Sequence, residues 1–215
     1  MAGRKKNPAQ TEATRRTFLE KSFELFGEKS IESVTMSQIA KASGFRDMTL
    51  YRYFPSKPIL VVAVATWKWQ KFLEEDLQNL APQKAGNATA AEMFENYLDC
   101  YLELYRSHRN LLRFTQFFNV YVQSEHVDAK TLEPYQVMIK GYRERFHNMY
   151  EKAKKDGTIR TDESEEEMFS KTLHLMLAAV TRYAVGLVYI PETGPDPEKE
   201  LEFLKEIILK EYRTK

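Results

Sequence analysis

The stretch TMSQIAKASGFRDMTLYRYFPSK, residues 35–57, is the part of this chain from which its fold is predicted. Thr35 is a favourable N-cap, and Gln38 three residues later completes a T-x-x-Q capping box, which predicts a short helix that ends near Ala42. Gly44 then allows a positive φ that other residues resist, so a tight turn is expected there.

A second short helix is predicted from about Arg46 to Tyr53, with Leu50 and Phe54 on its inner side. The helix stops at Phe54-Pro55, because a residue before proline avoids the α region. Two short helices joined by a glycine-containing turn form a helix-turn-helix, in which the second helix is the candidate DNA reader.

The same residues resemble the DNA-binding segment of the tetracycline-repressor (TetR) family of bacterial transcriptional regulators. The matching pieces are T-M-S-Q-I-A at 35–40, G-F at 44–45, T-L-Y at 49–51, Y-F-P-S-K at 53–57 and, upstream, F-L-E-K-S-F-E-L-F at 18–26. The resemblance covers roughly residues 10–65, and its composite spacing is more specific than a bare helix-turn-helix pattern. It departs from the family at Asp47 and Met48, where lysine and glycine are common.

The resemblance implies a set of DNA-binding residues in this segment. Phosphate anchors are expected at Thr35, Tyr51, Tyr53 and Lys57, whereas Arg46, Asp47, Met48 and Thr49 begin the helix that meets base edges. Asp47 has two open interpretations, a base contact or an N-terminal cap of its helix. The full predicted set is Thr35, Ser37, Gly44, Arg46, Asp47, Met48, Thr49, Tyr51, Tyr53 and Lys57.

Charge is distributed unevenly along a chain whose net charge is only +1. Residues 1–57 carry 11 Lys/Arg and 6 Asp/Glu, so this part is basic and the remainder is acidic. That asymmetry is expected if the first part meets phosphate. We therefore predict a DNA-binding domain at 1–57 and a helical effector-binding and dimerisation domain at 58–215, with a connecting helix at 58–80 and dimerisation helices within 163–213.

The remaining sequence has helical periodicity and no convincing alternation, so we predict an all-α fold. A long helix is expected over about 129–155 with Pro134 near its start, and an apolar helix over about 168–190. Helices that are apolar nearly all round need burial on several sides, and the resemblance implies that the last two form a four-helix bundle with a second subunit. The predicted interface residues are Phe169, Leu173, Met176, Leu177, Val180, Ala184, Leu187, Leu204 and Ile208.

Aromatic residues are frequent in the body of the chain and have two interpretations, a helical core or a pocket for a small apolar or aromatic effector. Family resemblance favours a pocket somewhere in this body, and tyrosines are unusual as simple core filler. The candidate lining residues are Trp67, Tyr97, Tyr101, Tyr105, Phe114, Phe117, Phe118, Tyr121, Met138, Tyr142 and Phe146.

Motifs for catalysis are not found in the sequence. It lacks G-x-S-x-G, a P-loop, G-x-G-x-x-G and H-E-x-x-H, and Glu144-x-x-His147 matches half of a di-iron motif without its second half. We expect no enzymatic activity, cofactor or metal. The single cysteine, Cys100, and the lack of a signal peptide favour the reducing cytoplasm.

The resemblance to the TetR family implies a ligand-responsive homodimeric repressor that binds a roughly palindromic operator, and the sequence predicts no membrane partner. The alternative is a helical small-molecule-binding or enzymatic protein whose N-terminal unit no longer reads DNA. A third possibility is a protein-interaction dimer without a ligand.

Overall fold

The structure, a computed structural model, describes residues 7–76, 88–186 and 196–214, and the side chains of Glu75, Asp76 and Tyr142 lie outside this description. The α-helices in these ranges are α1 Pro8–Glu28, α2 Met36–Ala42, α3 Asp47–Tyr53, α4 Lys57–Lys71, α5 Ala90–Ser107, α6 Arg109–Ser124, α7 Ala129–Asp156, α8 Glu165–Val185 and α9 Pro197–Tyr212. The only β pairing in the described residues is one antiparallel bridge, between Ile159 and Arg213. The all-α prediction is confirmed, and none of the described helices is long and apolar enough to cross a membrane.

The chain divides into two compact units, each made of two segments. The first unit is Met1–Trp69 with Phe114–Gln136, and the second is Gln70–Arg113 with Val137–Lys215. The division follows packing, whereas the predicted boundary at 57/58 separates functions, and that boundary stays a prediction.

Phe18 of α1 is the centre of the core under the helix-turn-helix. Its side chain has no exposed surface, and its ring lies 5.1 Å from Phe45, 5.6 Å from Tyr53 and 6.5 Å from Phe54, measured between ring centroids. Aromatic pairs at these separations stabilise beyond their buried area. The turn before α3 and the C-terminal end of α3 therefore both pack against one side chain of α1.

The second unit is built around α5, which packs against α8 and α9. Phe146 of α7 is fully buried, and its ring lies 6.2 Å from Phe94, 5.4 Å from Tyr97 and 5.4 Å from Phe169. A lysine on α9, Lys205, extends this packing because it forms ion pairs with two acidic side chains of α5. The core of this unit therefore joins helices that are far apart in the sequence.

Three predicted helices differ from the structure. Pro134 lies inside α7, because Asp128 caps the helix well before it: the Asp128 Oδ1 atom accepts a hydrogen bond from the Thr131 N–H at 3.0 Å. The predicted connecting helix changes from α4 to a π-helix at Phe72–Asp76, and its expected end lies outside the described residues. The apolar helix expected to reach residue 190 ends at Val185, because Gly186 has φ +105°.

Candidate nucleic-acid interface

Helix α2 begins at the capping box that the sequence predicts. The Gln38 N–H donates to the Thr35 Oγ1 atom at 3.2 Å, and the Thr35 N–H donates to the Gln38 Oε1 atom at 2.8 Å. Each partner thus satisfies a backbone donor that a helix start otherwise leaves unpaired. Ser37 and Gln38 are exposed on the outer side of this helix, while Ile39 and Ala40 are buried.

The turn between α2 and α3 depends on Gly44. Its φ is +76°, in the left-handed region that favours glycine. Two backbone hydrogen bonds close the turn, from the Ser43 N–H to the Ile39 carbonyl at 2.9 Å and from the Phe45 N–H to the Ala40 carbonyl at 2.9 Å. Gly44 therefore shapes the backbone of the turn, and this role does not itself require the predicted contact with DNA.

Helix α3 has one inner side and an exposed start. Leu50 is fully buried, and Phe54 ends the helix and is buried beside it. Arg46 occupies the N-cap without a side-chain cap hydrogen bond, and Asp47 is the first helical residue. Capping by Asp47 is therefore wrong, although a carboxylate in the first turn still favours the helix dipole.

The start of α3 presents three unlike side chains to solvent. Arg46 and Asp47 are exposed, and Met48 is 84% exposed, the highest value among the exposed large hydrophobic residues described. Met48 has no packing role that would explain its size, since its side chain lies almost wholly in solvent. An arginine, a carboxylate and an apolar side chain together provide a donor, an acceptor and a methyl contact for base edges.

The predicted phosphate anchors lie in different environments. Thr35 and Tyr51 are exposed, whereas Tyr53 is half-buried, with its ring against Phe18 and with the Arg52 guanidinium 5.7 Å from its ring centroid. Tyr53 thus has a packing role as well as an accessible edge.

Lys57 is already engaged within its own unit. Its Nζ atom donates to the Glu32 carbonyl at 3.2 Å and lies 5.7 Å from the ring centroid of Tyr121. Burial lowers the pKa of Lys57. An ammonium has three donors, so a phosphate contact remains sterically open to it.

The match to a known protein family covers the helix-turn-helix and the helix before it. Residues 18–64 match the model of the bacterial regulatory proteins of the tetR family, which includes Phe18, the capping box, the glycine turn and all of α3. This segment belongs to the TetR family. No curated protein sequence matches the chain.

Solved structures share the fold of this chain over nearly its whole length. A putative transcriptional regulator from Saccharomonospora viridis, in complex with choline, is 18% identical, with 95% of this chain and 100% of that chain covered and a TM-score of 0.72. The regulator FadR from Bacillus subtilis, in complex with stearoyl-CoA, is 18% identical, with 90% and 97% covered and a TM-score of 0.69. AibR, in complex with isovaleryl coenzyme A and operator DNA, is 17% identical, with 91% and 96% covered and a TM-score of 0.63.

The predicted pocket residues fall in both compact units of the chain. Trp67, Phe114, Phe117, Phe118 and Tyr121 belong to the first, and Tyr97, Tyr101, Tyr105, Met138 and Phe146 to the second. The side chain of Tyr142, in the second unit, lies outside the described residues.

Within the second unit, two of these tyrosines form a pair. The hydroxyl oxygens of Tyr97 and Tyr101 lie 3.0 Å apart, and burial raises the pKa of Tyr97 to about 12. The pair is thus a polar position inside an aromatic cluster, but Tyr101 and Phe146 are also ordinary core residues by their burial. The assignment of these residues to a pocket stays a prediction.

The predicted dimer residues require a correction. Met176 and Val180 are fully buried inside their own chain, and Ala184 and Ile208 are also buried, so they have little or no surface left for a partner. Phe169, Leu173, Leu177 and Leu204 are half-buried, and Leu187 lies outside the described residues.

The predicted list of interface residues leaves out the large apolar side chains that are exposed on α8 and α9. We call them the outer face: Leu175, Val185, Phe203 and Ile207. The signal was present in α9, where Phe203 and Ile207 are four residues apart and so lie on one side of the helix, between the buried Leu201 and Ile208 in sequence. It was not decisive in α8, because apolar residues surround nearly the whole helix.

Proposed function

We propose that this chain is a ligand-responsive homodimeric repressor that binds a roughly palindromic operator through residues 35–57 of each subunit. The observation that carries the proposal is the start of α3, where Arg46, Asp47 and Met48 are exposed on a helix whose inner side is held by Leu50. Such a protein acts where bacterial DNA lies, in the cytoplasm, as a regulator and not as an enzyme.

Direct readout assigns a role to each exposed residue at the start of α3. The Arg46 guanidinium suits a bidentate contact with guanine, the Asp47 carboxylate accepts from a cytosine amino group, and Met48 or Thr49 contacts a thymine methyl. The absence of a side-chain cap hydrogen bond at Arg46 supports this assignment, because the Arg46 guanidinium is not used to start the helix. Thr35, Tyr51, Tyr53 and Lys57 are the proposed phosphate anchors.

Dimerisation through α8 and α9 is the second part of the proposal. Phe203 is 68% exposed and Leu175 is 53% exposed, and both belong to the outer face. Large apolar side chains grouped on neighbouring helices are typical of an interaction surface. A second copy is the proposed occupant, because two recognition helices one DNA turn apart read a palindrome.

The effector is proposed to be a small apolar or aromatic molecule held in the helical body. Support comes from the solved structures of similar fold, which contain choline, stearoyl-CoA or isovaleryl coenzyme A. Those ligands differ widely in chemistry, so they support a ligand-binding body and do not select one ligand for this chain. Repression is relieved only if the ligand binds better to the conformation that does not bind DNA.

Selection from random duplex DNA tests the DNA-binding part. We expect the wild-type protein to enrich a palindrome and to lose affinity steeply as salt rises, because phosphate contacts release counterions. Arg46→Ala and Asp47→Ala should change the preferred half-site bases, each with a loss of about 1–3 kcal/mol of discrimination.

The matched control is Arg113→Ala, which removes an equally exposed arginine from α6, outside the helix-turn-helix. It should leave the selected sequence unchanged. If Arg46→Ala and Asp47→Ala also select the wild-type palindrome, Arg46 and Asp47 have structural roles and do not contact bases. If no sequence is enriched at low salt, the alternative of a helical ligand-binding protein replaces the repressor.

A further inference from the structure

Three side chains with metal-binding atoms meet on the surface of the second unit. His147 and Glu151 are one turn apart on α7, and Glu165 is the first residue of α8. The His147 Nδ1 atom lies 2.9 Å from the Glu165 Oε2 atom, and one ligand atom from each of the three residues lies within 4.8 Å of the others. In the described part of the chain this is the only such group.

The backbones that carry these side chains are held together independently of any ion. Tyr150, on α7 between His147 and Glu151, is buried, and its hydroxyl donates to the Glu163 carbonyl at 2.5 Å, just before α8. The start of α8 is itself fixed by a capping box, in which the Glu167 N–H donates to the Ser164 Oγ atom at 3.3 Å. The three ligands therefore project from two fixed helical positions.

We propose that His147, Glu151 and Glu165 bind one zinc-type divalent transition-metal ion, which would tie α7 to the start of α8. One imidazole and two carboxylates are a ligand set that zinc accepts, with water as the fourth ligand. Magnesium and calcium prefer all-oxygen sites, so the imidazole disfavours them.

The distances require only a small adjustment. Ligand bonds of about 2.0–2.2 Å in a tetrahedral site place ligand atoms about 3.3 Å apart. The present upper limit of 4.8 Å must therefore contract, and His147 and Glu165 must separate slightly from their hydrogen-bonded distance. His147 is largely exposed, and such side chains change rotamer at low cost.

A lysine competes for one of the carboxylates. The Lys154 Nζ atom lies 2.6 Å from the Glu151 Oε1 atom, but exposed pairs of this kind are weak and the other carboxylate oxygen remains available. The single thiol, Cys100, is a poor competitor, because burial raises its pKa to about 11.

Competition between the full-length, untagged protein and a chromophoric zinc chelator tests the site. We expect one zinc ion per chain for the wild type, and an affinity at least about tenfold lower for His147→Ala and for Glu165→Gln. The matched control is His174→Ala, which removes another exposed histidine, one that faces Ser170 instead of carboxylates. This control should bind zinc like the wild type.

A thermal readout checks the same inference. Zinc should raise the melting temperature of the wild type and of His174→Ala, and should leave that of His147→Ala unchanged, because a ligand stabilises only the state that binds it. The proposal is overturned if zinc does not bind at about 1 mM. It is also overturned if binding is the same in His147→Ala as in the wild type. Neither result depends on DNA binding.

Discussion

Leu50→Ala should destabilise α3 without removing any side chain that is proposed to contact DNA. Leu50 is the buried residue of a helix only seven residues long, and its side chain has no exposed surface. An isolated helix of this length is unstable in water, so α3 depends on the packing of Leu50. Truncation of a buried leucine costs about 2–5 kcal/mol, and we expect about 3 kcal/mol here because the Leu50 side chain is fully buried.

Urea unfolding followed by circular dichroism measures this loss. With a slope of about 2 kcal/mol per molar urea, a cost of about 3 kcal/mol lowers the midpoint of the transition that contains the first unit by about 1.5 M. At low urea the protein should remain folded, so the loss in the free energy of operator binding should be smaller than the loss in the free energy of unfolding.

Met48→Ala is the matched control, two residues away on the same helix. Its side chain is 84% exposed, so the free energy of unfolding should change by less than about 0.5 kcal/mol. Its operator affinity should instead fall by about 1 kcal/mol, the low end of the cost of a lost base contact. An unchanged urea midpoint in Leu50→Ala, or a large stability loss in Met48→Ala, would refute the assignment of inner and outer sides to α3.

Three further predictions concern the turn, the interface and alkaline pH. Gly44→Ala should lower the free energy of unfolding in urea by about 1 kcal/mol, because Gly44 has a φ of +76°. Gly27→Ala is the control: this glycine lies in a helix with equally open space, so the substitution should raise the free energy of unfolding by about 0.5–1 kcal/mol. Equal effects of the two substitutions would contradict the prediction. Phe203→Glu should give monomers in sedimentation, unlike Val137→Glu, an exposed control. Burial raises the pKa of Tyr97 from 10.0 to about 12, so the protonated Tyr97 stabilises the fold below pH 10 and this stabilisation is lost between pH 10 and 12. In urea titrations across this pH range, Tyr97→Phe should therefore lose less free energy of unfolding than the wild type.

The helix-turn-helix was predictable because its signals are local. The capping box of Thr35 and Gln38, the positive φ of Gly44 and the stop before Pro55 each involve residues within a few positions of one another. The same holds for α7, which ends at Asp156 before Gly157 with φ +66°. Residues this close in sequence determine backbone geometry without help from distant packing.

Other features required the folded chain. Whether Asp47 is the cap or the first residue of α3 depends on one step of helix register, which packing of Leu50 determines. The grouping of His147 with Glu165 depends on the return of α8 to α7 through the hydrogen bond from Tyr150, and no periodicity within α7 contains that information.

The sequence by itself determined the helical class and the helix-turn-helix, because these follow from caps, turns and short-range periodicity. The tertiary structure decided which face of the apolar helices is covered. Met176 and Val180 are buried and Leu175 and Val185 are exposed, although all four are apolar and lie on one helix. A helix that is apolar nearly all round has no intrinsic inner face, so that face is selected by its neighbours, α9 and the more distant α5.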